Sequence, residues 1–235
     1  LEAFGDQHNM AIALHHLGIV KTQVGKRVEG LEDIERSMDL FREIGDRRGL
    51  RNSMSILANI HIALGKYGRA RELHAECQGI FDEIGDPMGK APGIHSLSLI
   101  AFRQEDSEAS ENYSRRALEI FSQFGVPYGT SKVLNNLGEI EWVRGNFHHS
   151  KKIFMDALAA TRNVPSLARH RGTGNVLRGL GRTEVGLGEV AGAKGLLRAA
   201  LERAVEGQCV DSALARCPRF AASELGGGGV VGGGW

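Results

Sequence analysis

Apolar residues recur along the chain at steps of three and four, in runs several helical turns long that short polar or glycine-containing breaks separate. Between residues 127 and 144, Leu134, Leu137, Ile140 and Val143 lie three apart. They form a stripe down one face of an α-helix. Gly145-Asn146 breaks the run, as a left-handed stop would. From 147 to 162, Ile153, Phe154, Ala157 and Leu158 form the inner face of a second helix. Earlier in the chain the pattern is the same: Met54, Leu57, Ile60 and Leu64, then Gly65-Lys66, then Leu73, Cys77, Ile80, Phe81 and Ile84.

The helix pairs repeat. Gly5, Gly45, Gly85 and Gly125 stand 40 residues apart, each after an apolar residue (Phe4, Ile44, Ile84, Phe124), and the first three precede Asp6, Asp46 and Asp86. A Gly-Asp junction combines a stop with an N-cap: glycine takes the αL conformation after one helix and aspartate accepts from the free N–H groups of the next. Leu17, Leu57, Leu97 and Leu137 keep the same interval, and Leu180-Gly181 continues it after a three-residue insertion. The expected units are about 4–44, 45–84, 85–124, 125–164 and 165–206. A partial sixth unit or cap follows over 207–225, and a glycine-rich tail over 226–235 that has too little side chain to bury a core and reads as disordered.

Three columns hold only small residues: Gly18, Ala58, Ser98, Gly138 and Gly181; Gly30, Ala70, Ser110, Ser150 and Ala193; Ser37, Cys77, Ala117, Ala157 and Ala200. Helix axes approach to roughly 8–9 Å only where no large side chain stands between them. The columns, spaced by twelve and then seven residues, resemble the small-residue signature of the tetratricopeptide repeat over about residues 4–206. The usual unit there is about 34 residues, and HEAT repeats, of about 40, are the alternative. The 40-residue unit with its Gly-Asp junction is similar to a longer variant in the repeat arms of bacterial LuxR-like and SARP-like regulators and signal-transduction ATPases. The resemblance implies an all-α, right-handed superhelical solenoid of about five antiparallel helix pairs, whose first helices line a concave surface that binds protein or peptide.

The chain departs from the family pattern in three places. Leu14, Met54, Ile94, Leu134 and Leu177 stand where a large aromatic is expected, Glu105-Asp106 replaces glycine at one turn, and the fifth unit holds Gly172, Gly174, Gly179, Gly181, Gly186, Gly188, Gly192 and Gly195. Interior glycine costs roughly 0.5–1 kcal/mol in a helix, so that end is expected to be the least stable.

Composition narrows the chemistry. Of 235 residues 42% are apolar and 24% charged, with a net charge of +1, so nothing draws the chain generally to nucleic acid or membrane. The phosphate-loop, zincin, nucleophile-elbow and EF-hand motifs are missing from the sequence, and Gly172-Thr173-Gly174-Asn175 lacks the strand and lysine a phosphate loop needs. No catalytic residue, cofactor or metal is expected, and the chain is read as no enzyme. His15-His16 and His148-His149 are adjacent pairs whose side chains diverge around the helix, which does not suit one metal. Arg162, Arg169, His170, Arg171, Arg178 and Arg182 concentrate positive charge without aromatics for base stacking, so they read as a solvated junction beside a cationic groove. Cys77, Cys209 and Cys217 form no metal or redox motif, and free thiols point to a reducing, cytoplasmic setting. The absence of an initiator Met and a basic leader suggests a fragment of a longer protein.

The groove positions expected from this register are His15 in the first unit, Asn52, Ser55 and Asn59 in the second, His95 in the third, Lys132, Asn135, Asn136 and Glu139 in the fourth, and Asn175, Arg178 and Arg182 in the fifth. Asparagine is a poor helix former, so its recurrence here suggests a use: its amide donates and accepts at once, which suits a peptide backbone. Lys132, Arg178 and Arg182 suit carboxylates. Sequence alone therefore points to a partner-binding module, the sensory or regulatory arm of a larger bacterial transcriptional or signalling regulator. The alternatives are a free-standing adaptor or oligomerisation scaffold, with self-association, and a non-catalytic piece of a larger enzyme.

Overall fold

The structure, a computed structural model, describes residues 2–164 and 171–206. The expected cap over 207–225 and tail over 226–235 lie outside the described residues, as do Cys209, Cys217, Arg169 and His170. Among the described residues there are ten α-helices and no strand. They are α1 (Glu2–Gln23), α2 (Arg27–Glu43), α3 (Arg47–Ala63), α4 (Tyr67–Ile84), α5 (Pro87–Arg103), α6 (Ser107–Gln123), α7 (Pro127–Val143), α8 (Phe147–Thr161), α9 (Arg171–Gly186) and α10 (Val190–Glu206). The chain divides between Val126 and Pro127 into two compact units, the first holding α1–α6 and the second α7–α10.

All fifteen small-column residues are buried. In the first unit a Cβ on Gly30 would stand 2.7 Å from the Gly18 carbonyl oxygen. Two pairs further on, Ser98 and Ser110 exchange hydrogen bonds, each hydroxyl donating to the other's carbonyl at 2.9 and 3.0 Å. In the second unit the Ser150 hydroxyl donates to the Gly138 carbonyl at 2.8 Å. The first two columns are thus the points where the two helices of a pair touch through their backbones. There a hydroxyl is tolerated because the facing carbonyl satisfies it. The third column joins one pair to the next: the Ser37 hydroxyl in α2 donates to Ala11 in α1 at 2.7 Å and lies 3.2 Å from the Ser53 hydroxyl in α3.

Apolar side chains fill the space around these contacts. Ile34, Met54, Leu57, Leu73 and Ile100 are sealed within one cluster of the first unit. Phe154, Ala157, Val176 and Leu180 form the core of the second.

The junctions follow the Gly-Asp reading at two places. Gly45 and Gly85 take φ of +73° and +71°. Asp46 accepts from the Arg48 and Gly49 N–H groups, both at 3.0 Å, and Asp86 from Gly89 at 2.9 Å. The first junction differs: α1 runs through Gly5-Asp6, with no described helix before it for the glycine to end. At the turn without glycine, Glu105 itself takes φ +63° and Asp106 caps α6.

The glycines of the fifth pair do not merely loosen it. A Cβ on Gly179 would stand 2.4 Å from the Phe154 ring, one on Gly181 2.7 Å from Leu197, and one on Gly192 2.4 Å from the Glu184 carboxylate. At these sites the missing side chain is what lets α8, α9 and α10 pack.

Candidate partner-binding face

The predicted groove residues sit on the first helix of each pair, but they do not share one environment. One register row is open to solvent: Asn52, Lys132 and Asn175 are all exposed. A second row, three residues on, turns toward the seam between neighbouring first helices. There Ser55 and Asn135 are half-buried and His95 is buried. His15, in this row, sits 3.0 Å from the Ser53 hydroxyl through its Nδ1, and burial followed by the charge of His16 lowers its pKa. A third row holds Asn59, exposed, and Glu139 and Arg182, half-buried.

Two of the predicted exposures fail. His95 points into the first unit. Its neighbour Ser96 reaches α3, donating to Asn59 Oδ1 at 3.4 Å. Asn136 is 3% exposed. Adjacent helical residues diverge by about 100°, so Asn135 and Asn136 cannot both face a groove, and the second turns into the packing beside Gly138. Asn52 accepts from its neighbour Arg51 at 3.0 Å, and Ser55 lies 3.8 Å from the thiol of Cys77.

The second unit gathers the other predicted residues into one patch. Glu139 of α7 reaches Arg178 at 3.7 Å and Arg182 at 3.3 Å on α9. The arginines expected to take a ligand's carboxylate therefore already hold one from their own chain. The Arg182 guanidinium also lies over the Trp142 ring, 3.9 Å from its centroid, a cation–π contact. Lys132 stands over Tyr128 at 5.4 Å.

Sequence reasoning passed over Trp142. It lies three residues beyond Glu139 and is the only tryptophan inside the helical repeats, a signal that was there to read.

Among the described residues, four buried polar atoms in this patch make no hydrogen bond: Asn135 Oδ1, Glu139 Oε1, Trp142 Nε1 and Arg178 Nε. Two are acceptors and two are donors. Buried polar groups are nearly always satisfied, so these atoms, with Glu139 Oε1 held by Arg178 only at the ion-pair distance of 3.7 Å, mark this face as a place where something else can bond.

Among the described residues no three His, Cys, Asp or Glu side chains cluster as metal ligands, and no helix is long and apolar enough to cross a membrane. The carboxylate of Glu141 is occupied within its own pair by Arg144, Asn146 and His149.

Residues 9–83 match the family model of the tetratricopeptide repeat. No curated protein matches the chain. Solved structures that are similar include NprR in complex with its cognate peptide NprX (13% identity, TM-score 0.75, covering 92% of this chain and 63% of that one). The Rap protein complexed with Competence and Sporulation Factor is similar too (12%, TM-score 0.76, 92% and 60%). A third is a Signal Transduction ATPase with Numerous Domains carrying a tetratricopeptide repeat sensor, from Pyrococcus horikoshii (18%, TM-score 0.64, 87% and 31%). At these identities the likeness shows the fold: an all-α helical repeat of the tetratricopeptide type. The chain spans less than two thirds of the length of NprR and of Rap.

Proposed function

We propose that this chain is a non-catalytic peptide- or protein-binding module, and that the α7–α9 face around Glu139, Trp142, Arg178 and Arg182 is its principal site. The observation that carries the reading is the set of four buried atoms, two donors and two acceptors, that make no hydrogen bond among the described residues. An extended peptide offers one N–H and one C=O per residue and can satisfy both kinds at once. Exposed Lys132 and Asn175 flank the patch and extend it toward polar or acidic side chains. Two of the structurally similar proteins, NprR and Rap, are named as complexes with a peptide or factor, and a third carries its repeats as a sensor. They support a place for this module as the sensory or regulatory arm of a larger bacterial cytoplasmic regulator of transcription or signalling.

The test is a peptide selected from a random display library on the parent chain, then titrated by calorimetry against variants. Asn135→Ala and Arg178→Ala should each weaken binding by roughly tenfold, about 1.4 kcal/mol, with Lys132→Ala and Asn175→Ala weaker in effect. Peptides that bind Asn135→Ala and Arg178→Ala as tightly as the parent would remove the site. The chain alone should leave ATP unhydrolysed; turnover that survives repurification would sink the non-catalytic reading.

A further inference from the structure

An aromatic plug seals the junctions between helix pairs. Phe41 of α2 lies over Gly49 of α3, and Phe81 of α4 over Gly89 of α5, so closely that a Cβ on either glycine would run into the ring. Both rings are buried. The sequence keeps the register once more as Phe121 and Gly129. At the α8–α9 junction it keeps only the glycine: Gly172 stands in the first turn of α9, and Thr161 of α8 replaces the phenylalanine. The Thr161 hydroxyl donates back to the Leu158 carbonyl at 3.2 Å, and no ring fills the register. A cavity of about 830 Å³ lies there, walled by the aliphatic Leu158, Leu177, Leu180 and Leu196. That volume falls within the roughly 300–1,000 Å³ usual for small-molecule sites, which are mainly apolar with a few placed polar groups.

Charge distinguishes the two ends of this cavity. Arg162 and Arg203 line the end that holds Thr161 and Thr173. Among the described residues the one acid lining it is Glu184. Glu184 lies about three turns along α9 from Thr173, roughly 16 Å away, and Lys151 holds its carboxylate at 3.1 Å. The arginine end is thus cationic and open to a carboxylate from outside. Leu177, Leu180 and Glu184 line the cavity from α9, whereas Arg178 and Arg182 turn to Glu139 of α7, so this site is separate from the peptide face. We infer that the cavity binds a small aromatic acid, a phenyl ring on a short chain ending in a carboxylate. The ring takes the place that Phe41 and Phe81 take at their own junctions, and the carboxylate reaches Arg162 and Arg203, whose planar guanidinium forks match it. Close packing at this register is built around a flat ring, and an aliphatic chain would leave part of the slot empty.

Titration of the isotope-labelled full chain with phenylpropionate, followed by NMR, tests this. The expected result is saturable binding at roughly 1 mM, the affinity of a ligand this small, with shifts centred on the amides of Thr161, Thr173 and Leu177. Hexanoate, with the charge but no ring, and phenylpropylamine, with the ring but the opposite charge, should each bind about fivefold more weakly or less. Arg162→Gln, at an exposed position, should weaken phenylpropionate by about fivefold. Thr161→Phe, which restores the plug of the other junctions, should abolish binding while the melting temperature holds or rises. Glu139→Gln, on the peptide face, should leave the titration unchanged. The absence of a saturable shift overturns the inference. So does a Thr161→Phe chain that binds as the parent does, or one that fails to fold, since a slot of this size would accept the ring. Equal binding of hexanoate or of the amine overturns it as well, and so does a peptide ending in phenylalanine that binds where the free acid does not, which would give the slot to a protein partner.

Discussion

The Phe154 ring of α8 rests against the backbone of Gly179 in α9, so closely that a Cβ on that glycine would stand 2.4 Å from the ring. The same ring meets Gly138 of α7, where a Cβ would stand 2.7 Å away, and Phe154 is itself completely buried. Gly179→Ala must therefore push an enclosed aromatic side chain. It should cost about 1–3 kcal/mol, the usual range for overpacking, read as a lower urea midpoint. An unchanged midpoint would mean that the α8–α9 packing gives way freely.

Gly195 in α10 is the opposite case. Among the described residues nothing lies within 4 Å of the Cβ it lacks, and it sits inside a helix. Gly195→Ala should stabilise by about 0.5–1 kcal/mol, visible as a rise in the thermal midpoint. A fall would show that this position is packed after all.

These two glycines also show how far the sequence could be read. The fifteen small positions were legible because backbone contact between helices admits only Gly, Ala, Ser or Cys, whatever else the sequence does. Glycine by itself does not say whether it marks a contact or a weakness, and the fifth pair holds both. The partner face was legible to the helix but not to the residue. Asn135 and Asn136 are equally polar and lie one position apart, yet the structure half-buries one and buries the other. Polarity predicts exposure only on average, and His61, His74 and His95 are buried against that average. Trp142 was missed because an aromatic at helical spacing reads as core until a cation is found over it.

Glu105 carries a φ of +63° at a turn where Gly25, Gly65, Gly145 and Gly188 serve elsewhere. For a residue with a side chain the left-handed region costs roughly 1–2 kcal/mol, and glycine gives part of that back as extra freedom in the unfolded chain. Glu105→Gly should therefore stabilise by about 1 kcal/mol in urea denaturation. A destabilised variant would show that the Glu105 side chain contributes more than its backbone costs.

His74 in α4 is 2% exposed, and neither ring nitrogen has a hydrogen-bond partner among the described residues. Burial lowers its pKa from 6.5 to about 4. The unfolded chain then takes the proton before the folded one. The contribution to stability is complete above about pH 6.5 and is lost as the pH falls toward 4, at about 1.4 kcal/mol per pH unit and about 3 kcal/mol in all. Burial also lowers His15 and His61, which act in the same direction. His74→Leu should remove the larger part of the stability difference between pH 7 and pH 4.5 measured in urea. If the difference persists undiminished, the acid sensitivity lies elsewhere.

Leu137 and Glu139 lie two residues apart on α7 and should fail in different ways. Leu137 is 7% exposed, and Leu137→Ala should cost roughly 2–5 kcal/mol in folding. A groove-facing Glu139 would be close to neutral when changed, within about 0.5 kcal/mol, but the structure pairs it with Arg178 and Arg182, and the three side chains are 14%, 17% and 27% exposed. Glu139→Gln leaves two cations side by side with no counter-ion. A fully buried pair broken this way loses about 3–5 kcal/mol. Solvent at this half-buried site screens part of that, so about 1–2 kcal/mol is expected. The Arg182 guanidinium keeps its place over Trp142, so the cationic surface persists in the variant. Since Glu139 occupies the same arginines that a ligand carboxylate would use, Glu139→Gln should bind acidic peptides more tightly than the parent, and with a steeper dependence on salt. Arg182→Ala should reverse that gain. Calorimetry of one acidic and one neutral peptide against the three proteins decides the matter: equal affinities for parent and Glu139→Gln would mean that Glu139 does not compete for the site.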